Sequence, residues 1–97
     1  MQKADLNEIR LEINALDEEL TRTLVRRMAC VRRVAEWKKE NGVPVRDARR
    51  EADIIARVRE KVGGEYADSV EKVYRAMFDA ACDYEEQVMR QESGEAQ

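Results

Sequence analysis

Charged residues stand among the apolar residues of every helix that this sequence predicts. Arg27 and Lys38 fall inside the apolar band of the first predicted helix, and Glu51 falls in the middle of the apolar face of the second. Glu85 lies on the flank of the apolar band of the third. Moving an unpaired charge out of water costs several kcal/mol, so these residues need either partners or a ligand.

These charges fit two interpretations. Two cations and two carboxylates can neutralise each other as a structural network, or the long side chains can reach solvent at the edge of the band. The alternative is a polar cavity inside a helical bundle. Arg10 and Arg50 lie at the edges of their stripes and can close such a cavity. Cations then outnumber acids within it, and the ligand that fits is a small dianion.

The helix that positions Arg27 and Lys38 is predicted to run from Leu6 to Glu40, a stretch without proline or glycine. Asp5 or Asn7 can cap its start. Its apolar residues recur at steps of three and four, which is the spacing of one helical face. They are Leu6, Ile9, Ile13, Leu16, Leu20, Leu24, Met28, Val31 and Val34.

The length of this helix predicts a partner for it. Such a helix spans about 50 Å, whereas a compact domain of this size has a radius of gyration of about 12–13 Å. Two shorter helices from the same chain would leave much of the apolar band in water. We therefore expect an intertwined homodimer in which the long helices of two subunits pack together.

The second predicted helix runs from near Asp47 to about Val62. It follows a turn in which Gly42 supplies a left-handed cap and Pro44 prevents the first helix from continuing. Asp47 can cap the second helix or interact with its dipole in the first turn. Glu51 lies one turn further on, on the same face as Asp47.

The third predicted helix runs from about Glu65 to Arg90, after a break at residues 63–64, which are both glycine. Its predicted buried band consists of Tyr66, Val70, Val73, Tyr74, Met77, Ala81, Tyr84 and Val88. Residues 91–97 are polar and are predicted to be a disordered tail. The helical core is therefore expected over residues 5–90.

The composition favours one all-α domain over residues 1–97, with one long and two shorter helices. Charged residues make up 40% of the chain and aromatic residues 5%, a mixture that suits amphipathic helices better than a sheet. Opposite charges are interspersed around a net charge of −3, so no basic surface for nucleic acid is predicted. No signal peptide and no run of ~20 apolar residues is found, so we expect a cytoplasmic protein without a membrane partner.

The cysteines and the absence of histidine limit the chemistry. Cys30 and Cys82 are too few for a disulfide framework, and we expect them to be reduced structural thiols. The chain has no histidine. A zinc site and a histidine-activated nucleophile are therefore excluded by composition.

The order of these residues resembles the all-helical (AroQ-type) chorismate mutases. The resemblance covers about residues 5–90 and rests on three segments that occur in the order typical of the family. They are IRLEINALDEEL with Arg10, VRRMACVRRVAEWK with Arg27 and Lys38, and PVRDARRE with Asp47, Arg50 and Glu51.

The resemblance implies a three-helix chain that intertwines with a second copy, and active sites built from both. Family members are isomerases (intramolecular transferases) of the shikimate pathway that rearrange chorismate to prephenate, on the way to phenylalanine and tyrosine. The reaction is a [3,3] rearrangement without metal, cofactor or covalent intermediate. The substrate implied is a dianion, in agreement with the excess of cations.

The resemblance also implies roles for individual residues. Arg10 from the opposite subunit and Arg27 would hold the substrate carboxylates. Lys38 would contact a carboxylate and the ether oxygen of the breaking bond. Arg50 would add positive charge beside the ring, and Glu51 would hold the ring hydroxyl.

Further substrate contacts are implied for the backbone near Asp47 and for the third helix. Ala81 and Glu85 stand where one version of the family has serine and glutamine. The alanine should remove one carboxylate contact and little more. Glu85 must be protonated to donate to the ether oxygen, so catalytic efficiency should decline as pH rises. Lys38, Glu85 and Arg27 are the predicted catalytic residues.

Two other functions fit the same pattern. An isochorismate-pyruvate lyase has a similar fold and similar arginines, and product analysis separates the two activities. A non-catalytic helical dimerisation module would explain the long amphipathic helix, although not Lys38 and Glu51 on buried faces.

Overall fold

Three α-helices make up the part of the chain that the computed structural model describes, which is residues 5–94 for the backbone and 5–91 for the side chains. Helix α1 is Leu6–Asn41, α2 is Ala48–Val62 and α3 is Ala67–Gly94. A single turn of 3₁₀-helix, Gly64–Tyr66, connects α2 to α3. No strand occurs among these residues, and the predicted all-α class is confirmed.

Both ends of helix α1 lie at residues that favour the start or the end of a helix. The Oδ1 of Asp5 accepts a hydrogen bond of 3.2 Å from the Asn7 N–H, so Asp5 caps the first turn. At the other end Gly42 has a φ of 66°, and the Val43 N–H donates to the Lys38 carbonyl at 2.9 Å. This is a Schellman motif, in which a left-handed glycine satisfies the last carbonyls of the helix.

The chain divides into two compact units, Met1–Cys30 and Val31–Gln97. The first unit, described from residue 5, contains the first part of α1. Its predicted apolar band is largely exposed within the single chain: Leu16 is 61% exposed and Leu20 is 54% exposed. Leu24 and Met28 are half-buried.

The second unit contains a packed core. Its buried apolar residues come from the end of α1, from α2 and from α3; they are Val31, Ala35, Ile55, Ala67, Phe78, Ala81 and Val88. Tyr74 and Phe78 pack edge to face with their ring centroids 6.0 Å apart. The Arg59 guanidinium joins α2 to α3 through Asp68 at 2.9 Å and Glu71 at 2.8 Å.

The buried band of α3 differs from the predicted one. Tyr66 and Val73 are 65% and 58% exposed, whereas Phe78 and Glu85 are each 5% exposed. Tyr66 belongs to the 3₁₀ turn, which changes its direction relative to α3. Glu85 was predicted on the flank of the band, and this is wrong within the chain: Ala81, Glu85 and Val88 form one buried face at steps of four and three.

Helix α3 also extends further than predicted. The sequence predicts an end near Arg90 and a disordered tail from residue 91, but the helix continues to Gly94. Gln91 and Glu92 are good helix formers, and no proline or glycine interrupts the helix before Gly94. The rest of the predicted tail, residues 95–97, lies outside the described residues.

None of the helices within residues 5–94 has the length and apolar content that crossing a lipid bilayer requires.

Candidate active site

Lys38 and Glu85 meet inside the second unit. The Lys38 Nζ lies 2.9 Å from the Glu85 Oε1, and the two side chains are only 13% and 7% exposed. Lys38 lies in the last turn of α1, where the Gly42 cap ends the helix, and Glu85 lies on the buried face of α3. The Lys38 ammonium also donates to the carbonyl of Val45 in the turn that follows α1.

The contact between these two charges is mainly Coulombic. The Oε1 of Glu85 is fully buried and has no partner in hydrogen-bonding geometry among the described residues, although the ammonium lies close to it. A buried carboxylate oxygen in this state is costly unless another group uses it. A bound ligand that contacts Lys38 and Glu85 can therefore supply polar partners for both side chains and lower the cost of burying them.

Asp47 is the N-cap of α2. Its Oδ1 accepts a hydrogen bond of 2.9 Å from the Arg50 N–H, and its carbonyl accepts one of 3.0 Å from the Glu51 N–H. Removing such a cap typically costs ~1 kcal/mol of stability. The cap fixes where α2 begins, and it thereby places Glu51 in the first turn.

The carboxylate of Glu51 interacts with two side chains. Its Oε2 lies 3.3 Å from the Arg46 Nε and 4.0 Å from the Cys82 Sγ, and its side chain is 19% exposed. Arg46 also contacts Asp79 on α3, with 2.8 Å between Nη2 and Oδ1. The side chain of Cys82, followed by Glu51 and Asp79, raises the pKa of the Arg46 guanidinium.

Two further predicted site residues lie in the second unit. Ala81 is buried on α3 one turn before Glu85, and Arg50 is exposed on α2. The structure therefore brings Lys38 to Glu85 directly. It places Asp47, Arg50 and Glu51 together in the first turn of α2.

Arg10 and Arg27 belong to the other unit, Met1–Cys30. Arg10 is exposed and Arg27 is half-buried. Neither forms an ion pair with any residue of the range 5–91.

Sequence reasoning missed Arg46. This residue lies in the turn between α1 and α2, where helical periodicity gives no information about side-chain direction. The available signal was its position directly before the N-cap Asp47 and shortly after Pro44, which restricts the turn. A cation held there by local geometry is well placed to reach the first turn of α2.

Together these groups can hold and polarise a small anionic molecule. The half-buried ammonium of Lys38 can stabilise negative charge that develops on an oxygen atom. The Glu51 carboxylate can accept a hydrogen bond from a hydroxyl. Arginine guanidinium groups can bind carboxylates in a bidentate manner.

Comparison with known proteins agrees with this chemistry. The family model for chorismate mutase type II matches residues 9–86. The chain belongs to this family. It is also 28% identical over 89 residues to a bifunctional chorismate mutase/prephenate dehydratase of Aquifex aeolicus (strain VF5). That alignment covers 87% of this chain and 25% of the relative, so the chain spans about a quarter of the relative's length. No solved structure matches the chain.

The range that matches the chorismate mutase type II family includes every candidate site residue. The candidates extend from Arg10 in the first part of α1 to Glu85 on α3, and the matched range extends from residue 9 to residue 86. The family match therefore draws on both compact units of the chain.

Proposed function

We propose that this chain is a chorismate mutase, an isomerase that rearranges chorismate to prephenate in the biosynthesis of aromatic amino acids. The observation that carries the proposal is the half-buried Lys38 ammonium beside the buried Glu85 carboxyl group, in a chain that belongs to this family. A dimerisation module would gain no stability from this arrangement, because burying a charged pair is often neutral or unfavourable for stability compared with apolar packing.

The reaction requires little covalent chemistry from the protein. A pericyclic rearrangement needs the flexible substrate to be held compact, and it needs stabilisation of the charge that develops on the departing ether oxygen. The Lys38 ammonium provides this stabilisation, because contacts with Glu85 and the Val45 carbonyl hold it in place before the substrate arrives. One preorganised donor of this kind is worth about 3–4 kcal/mol of barrier.

The Glu85 carboxyl group lies beside the same ether oxygen. An ionised carboxylate at this position would repel the oxygen, whereas a carboxyl group can donate to it. The burial of the Glu85 side chain beside Lys38 supports its place in the site.

The remaining residues bind the ends of the substrate. Arg27 and the Arg10 of a second copy hold the two carboxylates, and Arg50 adds positive charge beside the ring. Glu51 and the backbone near Asp47 hold the ring hydroxyl. The position of Glu51 in the first turn of α2, at 19% exposure, supports this assignment.

A homodimer completes the site. Leu16, Leu20 and their neighbours continue the same apolar band that is buried at Val31, and they are exposed in the single chain. The occupant that fits is the matching band of a second copy, because a two-fold axis pairs the same surface on both subunits. This arrangement brings Arg10 of one copy to the Lys38 of the other. The cytoplasmic location stays a prediction.

Product analysis tests the proposal. The purified protein is incubated with chorismate and, separately, with isochorismate, and the products are separated by chromatography. A chorismate mutase converts chorismate to prephenate at a rate that saturates with substrate. Salicylate and pyruvate from isochorismate would instead identify a lyase, and no turnover of either compound would indicate a dimerisation module.

A further inference from the structure

One guanidinium group, that of Arg46, joins the first turn of α2 to α3. Its Nη2 lies 2.8 Å from the Asp79 Oδ1, and its Nε lies 3.3 Å from the Glu51 Oε2. The planar guanidinium has its donors in a fixed geometry, so two contacts restrict its rotation strongly. Arg46 also borders an open hollow of about 420 Å³ that is lined by Arg46, Asp79, Cys82, Asp83 and Glu86.

The two contacts of Glu51 fall on the same carboxylate oxygen. Arg46 and Cys82 both approach Oε2, at 3.3 Å and 4.0 Å. The other oxygen, Oε1, is therefore the one available to a ligand. A carboxylate oxygen accepts hydrogen bonds, and a guanidinium bound to its neighbour restricts the direction in which it faces.

We propose that Arg46 is a positioning residue, which fixes the orientation of the Glu51 carboxylate as a hydrogen-bond acceptor and thereby sets the preference of the site for a substrate with a ring hydroxyl. Asp79 contributes by fixing the direction of the Arg46 side chain. This inference rests on the proposed function, because it concerns the hydroxyl contact that was assigned to Glu51. Arg46 itself touches no reacting atom.

The expected effect follows from the strength of the hydroxyl contact. A hydrogen bond from a hydroxyl to an ionised acceptor strengthens binding by about 10- to 100-fold. Without Arg46 the Glu51 carboxylate can rotate towards solvent or Cys82, and most of this gain is lost. Arg46 should therefore change selectivity for the hydroxyl far more than affinity for the two carboxylates of the ligand.

The experiment compares two ligands on three proteins by calorimetry. The ligands are a bicyclic dicarboxylate that mimics the compact transition state and the same compound without its hydroxyl. The proteins are the wild type, Arg46→Ala and the control Arg75→Ala. Arg75 is also an exposed arginine with a carboxylate partner, Glu71 at 2.6 Å, but it lies outside the candidate site.

We expect the ratio of the two Kd values to be about 10–100 in the wild type and in Arg75→Ala, and to fall to within about threefold of one in Arg46→Ala. Arg46→Lys keeps the charge and should recover part of the ratio. Asp79→Asn keeps the shape of the side chain that contacts Arg46 but removes its charge, and it should also lower the ratio of the two Kd values. It serves as the second variant if Arg46→Ala does not fold.

The possible failures are distinguishable. A wild-type ratio well above one that stays unchanged in Arg46→Ala and in Asp79→Asn overturns the role of Arg46 and leaves the proposed function intact. A wild-type protein that binds neither compound overturns the proposed function, and the inference with it.

Discussion

The two parts of α1 carry the same apolar pattern and differ in what covers it. In the unit that begins at Val31, the helix buries Val31 and Ala35 and has side-chain contacts with α3 through Lys38 and Arg32. In the unit that ends at Cys30, the same spacing of apolar residues leaves Leu16 and Leu20 exposed. Since the pattern is continuous along the helix, the difference lies in the neighbours that each part has within the chain.

The charges on the helix show the same difference. Lys38 has a buried carboxyl partner in its own unit, whereas Arg10 and Arg27 have no ion-pair partner within residues 5–91. The second part of α1 therefore has apolar and charged neighbours within its own chain at Val31, Ala35 and Lys38, although Val34 is 44% exposed. The first part of α1 has exposed apolar residues and arginines without ion-pair partners among the described residues. We propose that a second copy covers the apolar residues and that a dianionic substrate binds the arginines.

The largest effect is expected from a charge in the uncovered part of the apolar band. Leu16→Arg should abolish the dimer and lower turnover of chorismate at least about 100-fold, because it would bury an unpaired cation between two subunits. Leu11→Arg is the matched control, since Leu11 is a similarly exposed leucine at 67% on the opposite side of the helix. Light scattering gives the mass of each variant. A monomeric wild type, or a Leu16→Arg dimer with full activity, would contradict the account.

A smaller loss of turnover is expected from a substitution in the part of α1 that begins at Val31. Lys38→Ala should lower kcat by about 10²–10³ and leave the dimer intact, because it removes the donor at the ether oxygen. Lys39→Ala is the control: Lys39 is the next residue and contacts the Met89 carbonyl on α3, outside the proposed site. Steady-state kinetics at saturating chorismate make the comparison. Equal kcat values for the two variants would mean that the pocket has been misassigned.

A smaller effect still is expected at the partner of Lys38. Glu85→Gln should retain kcat/KM within about tenfold, because the amide keeps the shape of the side chain and donates a hydrogen bond. Glu85→Ala removes the polar group beside the ether oxygen and should lower kcat/KM by about 100-fold. Steady-state kinetics on chorismate compare the two variants. Equal kcat/KM values for Glu85→Gln and Glu85→Ala rule out this role for Glu85.

The smallest effect is expected in the second unit, away from the site. Arg75, and then Arg59, lower the pKa of Glu71 through hydrogen bonds. A lowered pKa in the folded state adds stability above the pKa of the unfolded chain, and this stability is lost as pH falls through the folded pKa. Glu71→Gln should therefore reduce the loss of stability in acid without changing turnover.

Urea denaturation at neutral and acidic pH provides the measurement for Glu71. Glu86→Gln is the control, because Glu86 also faces an arginine one turn away but at 4.0 Å. If both variants keep the acid sensitivity of the wild type, the Arg59–Glu71–Arg75 contacts do not contribute to it.

Much of the fold could be predicted from the sequence because the helices end at residues with strong local preferences. The α1 cap at Gly42, the α2 cap at Asp47 and the break at Gly63 all follow from such preferences. The buried face of α3 could not be predicted in the same way. Its apolar residues occur on several sides of the helix, so only the contacts with α1 and α2 decide which of them are buried.

The candidate site was predictable where it lies on helices. A charge among apolar residues is visible in the sequence, and this signal pointed to Lys38 and Glu51. Helical periodicity did not indicate Arg46, because this residue lies in a turn, where no periodic pattern applies. In the dimer that we propose, the arrangement of Arg10 relative to Lys38 depends on a second copy, and no local rule contains that information.

Mixing two inactive variants tests the central claim, that one site draws on the uncovered part of one copy and on the covered part of another. Arg10→Ala and Lys38→Ala subunits are unfolded together in equal amounts, refolded, and assayed for prephenate formation. Half of the random dimers are mixed, and each has one site with both residues intact, so we expect activity to return to about a quarter of the wild-type value. Activity no higher than that of the separate variants would contradict a site shared between subunits.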